Sequence, residues 1–169
     1  DGKIRLSGFV PSEATRKTVV DAAKAAFPRR EIDDRMRLAR GAPSQAQWLA
    51  GVNFGLKQLA GLKSGKTDLE GLDLAIEGEA QDFNAFKGVR TALSGGLPQG
   101  VKLKNERVTP PVVQPYTWSA KSGGNQVLLS GHVPSERMRE DLVASAKKSF
   151  PRMTVVDRMQ TAAGEPRDW

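Results

Sequence analysis

Residues 5–36 read RLSGFVPSEATRKTVVDAAKAAFPRREIDDRM, and residues 128–159 read LLSGHVPSERMREDLVASAKKSFPRMTVVDRM. Aligned without a gap, Leu6, Ser7, Gly8, Val10, Pro11, Ser12 and Glu13 match Leu129, Ser130, Gly131, Val133, Pro134, Ser135 and Glu136. Phe27-Pro28-Arg29 then matches Phe150-Pro151-Arg152, and Asp34-Arg35-Met36 matches Asp157-Arg158-Met159. Agreement of this length marks an internal repeat, and a repeat sets the architecture before any single element is considered. A more divergent copy, AIEGEAQDFNAFKGVRTALSGGLPQGVKL, stands between the two and places Gly78 where they have Gly8 and Gly131. Leu97-Pro98 follows its glycine at the same distance as Phe27-Pro28 and Phe150-Pro151 follow theirs.

The unit reads as strand, helix, strand. Residues 3–7, 72–77 and 126–130 alternate or concentrate apolar side chains, as a half-buried strand does, and a glycine at the end of each suits a bend. Ser12 and Ser135 are natural helix N-caps, with Glu13 and Glu136 in the acid-favouring first turn. Apolar stripes follow at helical spacing: Val19, Val20, Ala23, Ala26 and Phe27; Phe86, Val89, Leu93 and Leu97; Leu142, Val143, Ala146 and Phe150. The proline after each stripe ends the helix. Second strands are expected at residues 31–38, 101–108 and 154–161.

Between the copies, residues 44–62 form a further amphipathic helix, with Leu49, Val52, Leu56 and Leu59 on one face and Trp48 nearby. Residues 66–70 and 72–79 read as a hairpin around Gly71. An added strand at 116–121 joins 126–130 through Ser122-Gly123-Gly124-Asn125, a good turn, and Tyr116 and Trp118 point one aromatic face of it at the core. Pro110-Pro111 to Pro115 reads as an extended linker. Three units follow: residues 1–43, a partial strand–helix–strand copy; 44–111, a complete helix–strand–strand–helix–strand copy; and 112–169, a copy without its leading helix. The opening Asp1-Gly2-Lys3 has no initiator Met, so the sequence is expected to be a piece of a longer chain cut inside a repeat. The expected fold class is α/β, a two-layer sandwich of mixed β-sheet with amphipathic helices packed on one face.

The 169 residues carry a net charge of +7 and no cysteine, which excludes disulfides, thiol catalysis and thiolate zinc sites. The positive excess is spread along the chain and interleaved with acids, as on a solvated surface. No apolar stretch approaches the roughly 18 residues needed to cross a bilayer as a helix.

No catalytic constellation is legible. The one histidine, His132, takes the place of Phe9 and reads as a strand-end surface or packing residue, because general acid–base work needs an orienting partner and a reacting proton in reach. Asp33-Asp34, Glu77/Glu79 and Glu140-Asp141 are paired carboxylates without an EF-hand or a cluster, so no metal and no cofactor is expected. Ser94–Gly96 and Ser122–Gly124 lack the phosphate-loop pattern and read as turns. Nucleic acid would need clustered basic residues with exposed aromatics, and none is expected as a partner. The basic positions Arg16, Lys17, Lys24, Arg29, Arg30, Arg139, Lys147, Lys148 and Arg152 lie on outward helix faces or at helix C-terminal ends. They form the candidate contact for anionic phospholipid, each worth roughly 1 kcal/mol near an anionic surface.

The element order, the glycine-ended second strand and the apolar-Pro helix end resemble the BON (bacterial OsmY and nodulation) domain. LSGFVPSEATRKTVVDAAKAAFP, LAIEGEAQD and YTWSAKSGGNQVLLSGHVPSE look like BON repeats of OmpA-like envelope proteins. The resemblance implies a non-catalytic binding or spacer module at the periplasm or outer membrane. It would meet envelope proteins or anionic phospholipid, with a peptidoglycan-binding domain elsewhere in the parent chain. A dedicated phospholipid-binding domain using the basic helix faces is the alternative it leaves open.

Overall fold

The computed structural model describes residues 2–41 and 44–166. The expected unit boundary at residue 43 lies outside them. Twelve elements follow in chain order among the described residues: β1 (Lys3–Val10), α1 (Glu13–Ala26), β2 (Glu31–Leu38), α2 (Gln45–Leu59), β3 (Leu62–Glu70), β4 (Asp73–Ala80), α3 (Phe83–Gly95), β5 (Lys102–Thr109), β6 (Trp118–Gly123), β7 (Gln126–Val133), α4 (Glu136–Ser149) and β8 (Thr154–Thr161). The fold is α/β, with helices packed against three small sheets.

β1 pairs in parallel with β2, β4 with β5, and β7 with β8, each strand pair being bridged by its helix. β3 adds to β4 and β6 to β7 as antiparallel partners, which makes those two sheets three-stranded and mixed. The β1–β2 sheet has two strands only. Gly8, Gly78 and Gly131 do not end their strands. Each lies inside the ladder with a positive φ of 115°, 150° and 101°, and pairing continues past it to Val10, Glu79 and Val133. A left-handed glycine bends the backbone without releasing it from the sheet.

Helix starts follow the caps. Ser12, Asp82 and Ser135 accept from the amides of Thr15, Ala85 and Met138, and a cap of this kind is worth about 1 kcal/mol. Three apolar clusters form the interior. Leu6, Val10, Val19, Ala23, Phe27, Met36 and Leu56 make the first, and Leu74, Ile76, Val89 and Leu93 centre the second. Val127, Leu129, Val133 and Met159 make the third.

α2 belongs to two of these clusters. Trp48, Val52 and Leu56 pack into the first, while Phe54 packs into the second and Leu59 into both. Its other close approach is a glycine face. A Cβ on Gly51 would lie 2.9 Å from Leu69, and one on Gly55 2.9 Å from the Thr67 hydroxyl, so helix and β3 meet where side chains are missing. Thr15, buried in α1, accepts from the Gln45 amide of α2.

α4 has no such cover. Phe27 is 9% exposed and Leu97 packs against the second cluster, but Phe150 is 39% exposed and no residue of α4 is fully buried. The expectation that Phe150 faces the core therefore fails, because among the described residues no helix packs beside α4 as α2 packs beside α1. Trp118 opens β6 at 38% exposure and reaches the core through Nε1, which donates to the sulfur of the buried Met159 at 3.2 Å. Tyr116 lies ahead of the strand, and its hydroxyl donates to the Ala162 carbonyl at 3.4 Å.

Candidate functional site

The nine basic candidates separate by what their head groups touch. Arg16 Nε donates to Asp34 Oδ2 at 2.8 Å, and the other oxygen of Asp34 accepts the Met36 amide at 2.9 Å. Arg139, Asp157 and Met159 repeat the arrangement at the same two distances. A second contact runs from Arg16 to Glu13 and from Arg139 to Glu136. Both arginines thus tie a helix N-terminal turn to the second strand of its unit, through charge-assisted bonds that fix orientation. Their guanidinium groups are engaged within the fold and remain 33% and 29% exposed.

Lys17, Lys24, Arg29, Arg30, Lys147, Lys148 and Arg152 are exposed, and none is ion-paired among the described residues. Lys24 lies in the last turn of α1, with Arg29 and Arg30 just beyond it; Lys147 and Lys148 lie in the last turn of α4, with Arg152 beyond. The helix C-terminus and this cationic group stabilise one another locally. The two groups sit at equivalent places in the first and third units.

Of the carboxylate pairs, Asp33-Asp34 and Glu77/Glu79 are engaged by cations, while Glu140 and Asp141 are exposed and make no ion pair among the described residues. Asp33 takes hydrogen bonds from Arg35 and Arg5, and Arg35 foremost holds its carboxyl below the ordinary value. Glu79 accepts from Lys63 at 3.0 Å and from the Val112 amide at 3.2 Å; both bonds lower its pKa, Lys63 more. Glu77 lies 3.4 Å from Lys66. Among the described residues no three His, Asp or Glu side chains converge on one point. His132 sits inside β7 with its ring 5.9 Å from that of Tyr116, its backbone N–H donating to the Thr117 carbonyl. Burial, with some help from Glu165, pushes the Tyr116 phenol up to about 12, so it stays neutral across the physiological range.

One concavity stands out that residue-by-residue reading did not find. A groove of about 1270 Å³ runs between β1 and β3, with Trp48, Gly51, Val52, Gly55 and Leu56 of α2 along it. The sequence signal for it was the missing upstream partner of the first strand, together with the Gly51-x-x-x-Gly55 spacing.

Comparison with family models places one segment of the chain. Residues 122–163 match the BON-like domain. This BON-like segment covers β7, α4 and β8 with the turn before them. BON domains are generally non-enzymatic modules of periplasmic and envelope proteins. No helix among the described residues is long and apolar enough to cross a membrane. Neither the curated proteins nor the solved structures gave a match.

Proposed function

We propose that this chain is a non-catalytic binding and spacer module of a periplasmic or outer-membrane-associated protein, presenting surfaces to envelope proteins or to anionic phospholipid. The observation that carries the reading is the pair of unpaired cationic groups at the C-terminal ends of α1 and α4, on a chain whose third unit matches the BON-like domain. The Asp33-Asp34 and Glu77/Glu79 carboxylates, by contrast, are paired within the fold. A peptidoglycan-binding domain elsewhere in the parent chain fits the spacer role.

The free cations also favour the narrower reading, a dedicated phospholipid-binding domain. Each Lys or Arg near an anionic leaflet adds roughly 1 kcal/mol, so several together give weak, salt-sensitive attachment. Co-sedimentation with phosphatidylglycerol-containing vesicles at low and high salt separates the two. The dedicated domain predicts binding at low salt, released by salt and reduced at least tenfold in Lys24→Glu/Arg29→Glu/Lys147→Glu/Lys148→Glu. Arg16→Gln and Arg139→Gln are expected to lower thermal stability instead. No sedimentation at low salt removes the lipid reading and leaves protein contacts as the module's role.

A further inference from the structure

We propose that the uncovered flank of α4 is a self-complementary surface, on which a second copy of this chain lays its own α4 antiparallel. α1 and α4 are the same element of two copies of the repeat, so their faces can be compared position by position. Thr15, Val19, Ala22 and Ala26 line one flank of α1, at the spacing that keeps a row on one side of a helix. α2 covers that row. Its Gln45 amide donates to the Thr15 hydroxyl, and its Trp48, Leu49 and Val52 share a cluster with Val19, Ala22 and Ala26.

The same row on α4 reads Met138, Leu142, Ser145 and Ser149. Among the described residues no helix packs beside it. Met138 is 37% exposed, both serines are exposed, and Leu142 is half-buried. Phe150, next after the row, is exposed where its counterpart Phe27 is buried.

Two positions beside the row point to the occupant. On α1 they are Thr18 and Ala25, which carry no charge. On α4 they are Asp141 and Lys148, both exposed and neither ion-paired among the described residues. They stand about two turns apart along one edge of the row, the acid nearer the helix N-terminus and the lysine nearer its C-terminus. A two-fold axis through the middle of the row, near Ala144, reverses the helix and brings Asp141 of each copy beside Lys148 of the other. A parallel pairing would set acid against acid and lysine against lysine. In the antiparallel one, Met138 of each copy falls beside Ser149 of the other and the Phe150 that follows it. Glu140 and Lys147 lie on the opposite side of α4 and stay outside the contact, so Lys147 remains turned to solvent.

The row suits a helix better than a bilayer. Two of its side chains are hydroxyls, which a hydrocarbon interior would leave without partners, whereas small serines at a helix crossing let the two axes approach. The contact is small. α4 has 14 residues, and a strip of about 21 Å by 10 Å covers only on the order of a few hundred Å² per copy. Stable complexes bury about 800 Å² per partner, so this dimer is weak, with a dissociation constant on the order of 0.1–1 mM. Two symmetric ion pairs are then a large share of what holds it.

Sedimentation equilibrium and concentration-dependent NMR of the 169-residue chain at low salt test the proposal. No vesicle is present, so the result does not depend on the lipid reading. Between about 20 μM and about 1 mM the average mass is expected to climb from monomer towards dimer. The amide shifts of Met138, Leu142, Ser145 and Ser149 should move with concentration, while those of Thr15, Val19, Ala22 and Ala26 stay. Asp141→Lys and Lys148→Glu, each alone, turn both ion pairs into like-charge contacts and should weaken the dimer about tenfold. Both side chains are exposed, so the variants are expected to fold as the unaltered chain does. Mixed in equal amounts, the two variants regain complementary pairs and should associate with one another as the unaltered copies do. A chain that stays monomeric at about 1 mM, or shifts confined to other elements, overturns the proposal. So do single variants that associate as well as the unaltered chain, and a mixture that fails to recover.

Discussion

Gly8, Gly78 and Gly131 share a backbone conformation and differ in what lies beside it. An alanine at Gly8 meets only the cost of a positive φ, about 1–3 kcal/mol. At Gly131 the same change also pushes on the Thr117–Trp118 backbone, adding about 1–3 kcal/mol of overpacking. Urea denaturation of Gly8→Ala, Gly78→Ala and Gly131→Ala is expected to rank Gly8→Ala as clearly the mildest; equal losses would show that backbone conformation alone sets the cost. The position of these glycines was legible in the sequence, but their role was not. A glycine after an apolar alternation reads as a strand end, and only the neighbouring strand shows that the ladder runs through it. The ion pairs of Arg16 and Arg139 were not legible for a similar reason. Helical spacing puts them on an outward face, while their partners Asp34 and Asp157 lie 18 residues on, across the sheet.

Phe27 and Phe150 end helices of the same pattern in the same Phe-Pro-Arg context, yet one is buried and the other is not. The difference lies in α2, which packs beside α1 and has no counterpart beside α4 among the described residues. Phe27→Ala is expected to cost about 3–5 kcal/mol, as a buried aromatic truncation does. Phe150→Ala removes a side chain that still meets water and should cost about 1 kcal/mol. Chemical denaturation of the two variants checks this, and comparable losses would mean that Phe150 is covered in solution. The helices themselves were legible, since their stripes, caps and closing prolines are local signals. Which helix covers which was not, because an amphipathic stripe states that a face needs burial without naming what buries it.

At the level of the molecule, the first two apolar clusters are joined through α2, while the third draws only on side chains from Val127 to Met159. The chain from Pro110 to Pro115 is held to the third unit by Val113 and Pro111 backbone bonds to Ala163, and to the second by the Glu79 carboxylate. Cooperative blocks follow contiguous cores, so equilibrium unfolding is expected in two transitions. Leu129→Ala, costing about 2–5 kcal/mol, should shift one of them and leave the other in place. A single transition that moves as a whole would show the third unit coupled to the rest. The α/β class could be read from the sequence, whereas the joining of two apolar clusters through α2 depends on packing between segments distant in the chain.

The double allegiance of α2 has an evolutionary corollary. Tandem modules are usually shuffled, duplicated or lost by cutting between them, and each piece must keep its own interior. A cut ahead of α2 would strip Trp48, Val52 and Leu56 from the cluster built on Leu6 and Phe27, leaving the upstream piece with a bared flank. A cut in the proline-bearing stretch after Thr109 would instead leave each of the three clusters with all its side chains, so the first two interiors are expected to be inherited together and the third apart from them.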